Sequence, residues 1–137
     1  MKTSVLLLLL SLSTVLFAGN DNPPGTVKIE DNLYCDDTEV SNLEWKEYIF
    51  WAKRKYGEQS KKYEEVLPDT LVWRQGKYNE PYVQYYYQHP AYENYPVVGI
   101  SYEKAKAFCK WRSDRVNEKI YLKKHKIEPE QLVKNIP

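Results

Sequence analysis

The 137-residue chain carries 20 basic and 19 acidic residues, with 13 Tyr and four Trp against only three Phe, five Gly and one Met. So even a balance excludes nucleic acid or an acidic membrane surface as the main partner, because both reward a basic footprint. The two Cys and two His lie far apart in sequence and match no zinc spacing, so neither a metal site nor a cofactor is expected.

Lys2 opens a short positive region, and Val5 to Phe17 is apolar apart from Ser11, Ser13 and Thr14. Small residues follow at Ala18 and Gly19, then a polar stretch containing Pro23 and Pro24. This order predicts a secretory signal peptide over 1–18, cleaved after Ala18. The apolar run of about 13 residues falls short of the roughly 20 that span a bilayer, so no transmembrane anchor is expected after cleavage. No Cys follows Leu16-Phe17-Ala18-Gly19, which leaves a bacterial lipid anchor without an attachment point. The expected product is periplasmic or secreted. Cleavage removes one of the 20 basic residues, Lys2, and none of the 19 acids, leaving a formal net charge of zero. What remains suffices for one small domain.

Residues 19–32 read as a leader and first strand, with partial alternation from Val27 to Tyr34, and Asp36 to Glu39 as a polar turn. Ser41 and Glu44 have the spacing of a capping box, and Trp45, Tyr48, Ile49, Ala52 and Tyr56 form one apolar stripe. A helix is expected over 42–56, stopped at Gly57. The charged segment 58–66 is a solvated connection or a helical extension, 67–70 a turn, and Leu71-Val72-Trp73 a short strand. From Arg74 to Pro96 ordered but irregular structure is expected, since Pro81, Pro90 and Pro96 oppose a long regular element. Val97 to Ile100 reads as a short buried strand or extended segment. Ser101 caps a second helix reaching about Tyr121, with Ala105, Phe108, Cys109, Arg112 and Val116 on one face, and Pro129 opens a short third helix over 129–134. The fold class is α+β.

Each chemistry-bearing residue has two readings. Cys35 and Cys109 form a disulfide in an oxidising compartment, or are buried thiols. Asp36, Asp37 and Glu39 are cation ligands or, as the spacing favours, a solvated turn. His89 and His125 have no recognisable nucleophile or orienting partner, so no catalytic residue is assigned. Tyr82, Tyr85, Tyr86, Tyr87, Tyr92 and Tyr95 either pack over the helices or offer a partner-binding or sugar-stacking surface. Trp45, Trp73 and Trp111 are expected in the core. Arg112 on an apolar face requires an acidic partner, with Asp37 or Glu39 as candidates.

Two segments resemble a known family. Asp37 to Tyr48 (Asp-Thr-Glu-Val-Ser-Asn-Leu-Glu-Trp-Lys-Glu-Tyr) and Tyr95 to Arg112 (Tyr-Pro-Val-Val-Gly-Ile-Ser-Tyr-Glu-Lys-Ala-Lys-Ala-Phe-Cys-Lys-Trp-Arg) resemble the formylglycine-generating-enzyme, or sulfatase-modifying factor, domain. Residues 67–73, 78–83, 89–92 and 111–118 resemble its gliding-motility members, envelope proteins associated with type IX secretion and regarded as non-catalytic. The resemblance covers about residues 33–118 and implies that 33–137 is the N-terminal part of the family's fold. Its enzymes bind copper through a Cys pair late in the domain. Cys35 and Cys109 lie elsewhere and do not inherit that role. The reading that follows is a non-catalytic envelope protein contacting an envelope or secretion-machinery protein. The alternatives are an N-terminal fragment of a formylglycine-generating oxidoreductase and a carbohydrate-binding module. A part-domain would also expose apolar surface that invites homo-oligomers.

Overall fold

A computed structural model describes residues 22–75 and 79–128. The signal segment 1–18 and the helix expected over 129–134 lie outside the described residues. The fold is α+β: helices packed around an aromatic core, with one small sheet at the edge.

The expected single strand is instead a hairpin, β1 (Thr26–Glu30) and β2 (Leu33–Asp36), paired antiparallel with Val27 opposite Cys35. The chain reverses at Asp31 and Asn32. Asn32 takes φ 63°, a left-handed conformation that Asn tolerates better than most residues. The polar run Glu30-Asp31-Asn32 interrupts the partial alternation at this turn.

Helix α1 (Asn42–Tyr56) starts and stops where the spacing places it. Ser41 Oγ accepts from the Glu44 N–H, and Glu44 Oε2 accepts from the Ser41 N–H at 2.8 Å. The next two orphan donors are met from outside the helix. Asn42 and Leu43 N–H groups each donate over 2.9 Å to the Tyr95 and Glu93 carbonyls. Residues 93–97 are thereby tied to the first turn of α1, with Val97 N–H on the Val40 carbonyl.

A short α2 (Lys61–Glu64) follows, and then a 3₁₀ helix over Thr70–Gln75 in place of the expected strand. Asp69 Oδ1 accepts from the Leu71 N–H at 2.9 Å, a side-chain turn that commits the chain to coiling. The irregular region expected over 74–96 holds a nine-residue helix, α3 (Glu80–Gln88), and a 3₁₀ turn over Pro90–Tyr92. Both prolines sit in first turns, where the missing N–H would have no partner anyway. Gly99 (φ 75°) lets the Asp69 backbone pass, since a Cβ there would run into the Asp69 carbonyl. Helix α4 spans Tyr102–His125, one turn longer than expected, and ends at Lys126 in a left-handed conformation.

The core is small and mostly aromatic. Trp45, Tyr48 and Ala52 from α1, Val66 just after α2, and Phe108 from α4 are buried. Trp45 stacks on Phe108 with ring centres 5.0 Å apart, Tyr48 meets both edge-on, and Trp45 Nε1–H donates to the Val66 carbonyl at 2.9 Å. Burying rings of this size is worth a few kcal/mol each. Trp111 packs against this core, part-buried, whereas Trp73 lies outside it.

Candidate functional site

Three features gather the side chains with chemical potential. The first is a tyrosine face on α3 and the turn after it. Trp73, Tyr82, Tyr86, Tyr92 and Tyr95 form one ring cluster, with Trp73 4.8 Å and Tyr92 5.3 Å from Tyr86. Tyr86 is its buried hub, and its hydroxyl donates to the Pro96 carbonyl at 2.7 Å. Burial, followed by the nearby Glu39 charge, raises its pKa above the ordinary tyrosine value. Tyr82, Tyr85 and Tyr95 face solvent, Tyr85 being 54% exposed. Tyr87 turns the other way and packs against the core, where its hydroxyl has no hydrogen-bond partner and burial pushes its pKa far up. The expected contact set of Tyr82, Tyr85, Tyr86, Tyr87 and Tyr92 is therefore divided. Tyr82 and Tyr85 are outward, Tyr92 is intermediate, and Tyr86 and Tyr87 are structural.

Asn42, which sequence reasoning passed over, holds this face in place. It is 1% exposed, and its amide nitrogen donates to the Tyr86 and Tyr92 carbonyls at 3.2 and 2.9 Å. An Asn directly after a helix cap carries no periodic signal, so only the structure discloses the role.

The second feature is a groove of about 700 Å³ between α1, α2 and α4. Tyr48, Trp51, Tyr56 and Trp111 line its aromatic part. Lys55 Nζ lies 4.8 Å from the Trp51 ring centre, Lys62 Nζ lies 4.9 Å from that of Tyr56, and the Arg115 guanidinium lies 5.8 Å from Trp51. Trp111 Nε1–H is buried without an acceptor. Sequence reasoning assigned no role to Trp51 and Lys55, which lie off the apolar stripe of α1, or to Lys62, which falls in the charged segment expected to be solvated.

The third is a charged knot joining hairpin to helices. Arg112 Nη1 reaches Asp36 at 2.9 Å and Glu44 at 3.4 Å, correcting the expected pairing with Asp37 or Glu39. Burial outweighs the attraction of Arg112, and Glu44 and Asp37 push the same way, so the Asp36 carboxyl sits above its ordinary 3.8. Because Asp36 faces α4, strand alternation turns the Cys35 side chain away from it. Cys35 and Cys109 are free and exposed, which overturns the reading of buried thiols, and no bond joins them. The expectation of burial for Cys109 came from assigning it to the Phe108 face, but the core contact falls on Phe108 and Trp111.

The sequence matches the sulfatase-modifying factor enzyme 1-like domain over residues 9–123, most of the chain. It belongs to this family. No curated protein and no solved structure matches it. Within this family member, the capped start of α1 and the run from Tyr95 into α4 are adjacent in space, bound through the Tyr95 carbonyl and the Ser41–Pro96 bridge. Copper held by two thiolates needs both sulfurs on one ion. Cys35 and Cys109 sit exposed on separate elements, and among the described residues no group of three or more His, Cys, Asp and Glu converges. The described residues do not fit that metal. Among them, too, no helix is long and apolar enough to cross a membrane.

Proposed function

We propose that the chain is an exported, non-catalytic member of the sulfatase-modifying factor family that works by protein–protein contact in the cell envelope. Its setting is the gliding and type IX secretion apparatus that residues 67–73, 78–83, 89–92 and 111–118 resemble. The observation that supports this is the tyrosine face. Tyr82, Tyr85 and Tyr95 project from a frame fixed by Asn42 and the Tyr86 hydroxyl, so little side-chain freedom is lost when a partner covers them. Tyrosine suits a contact that is apolar in its body and wet at its tip.

A photo-crosslinking residue placed at Tyr85 tests it. One discrete envelope protein captured there, and not from Tyr121 on the far part of α4, is the expected result. Equal or absent capture from both positions contradicts the proposal.

Family membership itself favours a second reading, in which these residues are the N-terminal part of a formylglycine-generating oxidoreductase. Reading the DNA past codon 137 separates the two. An in-frame Arg-Leu-Pro-Thr-Glu-Ala-Glu-Trp-Glu-like motif and a late Cys pair support the enzyme, and their absence removes it.

A further inference from the structure

The groove between α1, α2 and α4 has a chemistry distinct from the tyrosine face and shares no residue with it. Trp51 packs against Tyr48, Tyr56 and Trp111, and cations stand over the ring faces left open to the groove. Lys55 stands over both Trp51 and Tyr56, and Lys62 over Tyr56 from the α2 side at 4.9 Å. Arg115, over Trp51 from α4, is paired with Glu118 at 2.7 Å. Among the described residues neither Lys55 nor Lys62 lies within ion-pair distance of a carboxylate, while Glu103 and Asp114 line the α4 side and Glu65 is near Lys61 at 3.9 Å. The aromatic end is therefore cationic, although carboxylates stand elsewhere on the rim.

The α4 residues that line the groove run from Glu103 to Arg115, recurring three or four apart. At 1.5 Å per residue that is roughly 18 Å of helix, the span of about five or six extended residues. Two unpaired ammonium groups bracketing half-buried ring faces favour a ligand that brings carboxylates beside an apolar side chain, because the cations then gain charge partners while the open parts of the rings lose water. We infer that this groove docks a short extended segment of a partner protein, acidic and apolar in alternation, with its carboxylates on Lys55 and Lys62 and an apolar side chain against Trp51 and Trp111.

The test uses a fluorescein-labelled 12-residue peptide of alternating Glu and Leu, titrated with the purified chain by fluorescence polarisation. A Lys/Leu peptide of the same length serves as the charge control. Saturable binding of the Glu/Leu peptide is expected, weakening at least about threefold between roughly 0.05 and 0.3 M salt. The Lys55→Glu/Lys62→Glu variant is expected to bind about tenfold more weakly, about 0.7 kcal/mol per replaced lysine. Lys55→Arg/Lys62→Arg should retain binding, and so should Lys123→Glu/Lys124→Glu, away from the groove. Both groove lysines are exposed, so the variants should keep the wild-type melting curve. Should the Glu variant melt early, Lys55→Gln/Lys62→Gln replaces it with the same expected direction. Equal binding of the Lys/Leu peptide, undiminished binding by both groove variants, or no saturation overturns the inference. So does a dimer in sedimentation velocity that the groove variants dissolve, since the occupant is then a second copy. Tyr82→Ser/Tyr85→Ser should leave peptide binding unchanged, so failure here and failure of the tyrosine face are distinguishable.

Discussion

Two clusters of aromatic rings sit on opposite uses of the same chemistry. Around α3, rings contact rings, and polar handles go to backbone: Tyr86 to the Pro96 carbonyl, Asn42 to the Tyr86 and Tyr92 carbonyls. Around the α1–α4 groove, rings on one side build the core and on the other meet Lys55, Lys62 and Arg115. The first cluster is a braced plate with an outward face; the second is a core wall left open to a charged cleft. Aromatic content alone does not distinguish them. What does is where each polar atom ends.

Trp45→Ala should do the most damage, because it empties the stacked centre beneath the groove. A loss of about 3–5 kcal/mol in urea unfolding is expected, together with loss of cooperativity across both clusters. Asn42→Ala should cost about 2 kcal/mol, since the buried bond to the Tyr86 carbonyl and the half-buried bond to the Tyr92 carbonyl lose their donor. If the plate is braced as described, hydrogen exchange should quicken over 86–95 more than within α4. Uniform quickening would mean that the two regions are one unit.

Arg112→Ala should cost about 1–2 kcal/mol, because it leaves the part-buried Asp36 and Glu44 carboxylates facing each other. Asp36→Asn should be close to neutral, as the amide oxygen still accepts from Arg112. The raised Asp36 pKa fixes the sign with pH. The folded state holds that proton more tightly than the unfolded one, so its stabilisation is full below 3.8 and is lost as pH rises through the raised value. The difference in stability between wild type and Asp36→Asn should show that slope in mildly acidic solution. A slope of the opposite sign would mean that Arg112 dominates.

Much of this was legible in advance. The α1 boundaries, the Ser41–Glu44 box, the Trp45–Tyr48–Ala52 stripe and the Ser101 cap are local signals, read correctly because periodicity and capping are local physics. The errors share a cause. Pro81 and Pro90 suggest breaks in the sequence but open helices in the structure, and the Asp69 side chain that starts the 3₁₀ turn gives no periodic sign. Arg112 pairing with Asp36 and Glu44, and the Asn42 brace, join residues 44 or more apart in sequence, where no local pattern repeats. Of the tyrosines, spacing alone did not tell Tyr85 from Tyr86 and Tyr87.

The smallest expected effects separate those neighbours. Tyr86→Phe should cost about 1 kcal/mol, losing its bond to Pro96, whereas Tyr87→Phe should be neutral or stabilising by up to about 1 kcal/mol, because its buried hydroxyl has no partner. Equal costs would show that the two hydroxyls share an environment. Both exposed thiols should react with a thiol reagent in the native protein. Protection of either until denaturation would place it in a pairing or a burial that the structure does not contain.

The account rests most directly on the claim that Tyr85, the outward tyrosine that touches no other ring among the described residues, serves a partner and not the fold. Pull-down from envelope extract with wild type and Tyr85→Ser, each with its melting curve, decides it. The account predicts an unchanged melting temperature and the loss of one discrete partner. An undiminished set of captured proteins, or a variant that no longer melts cooperatively, would contradict it.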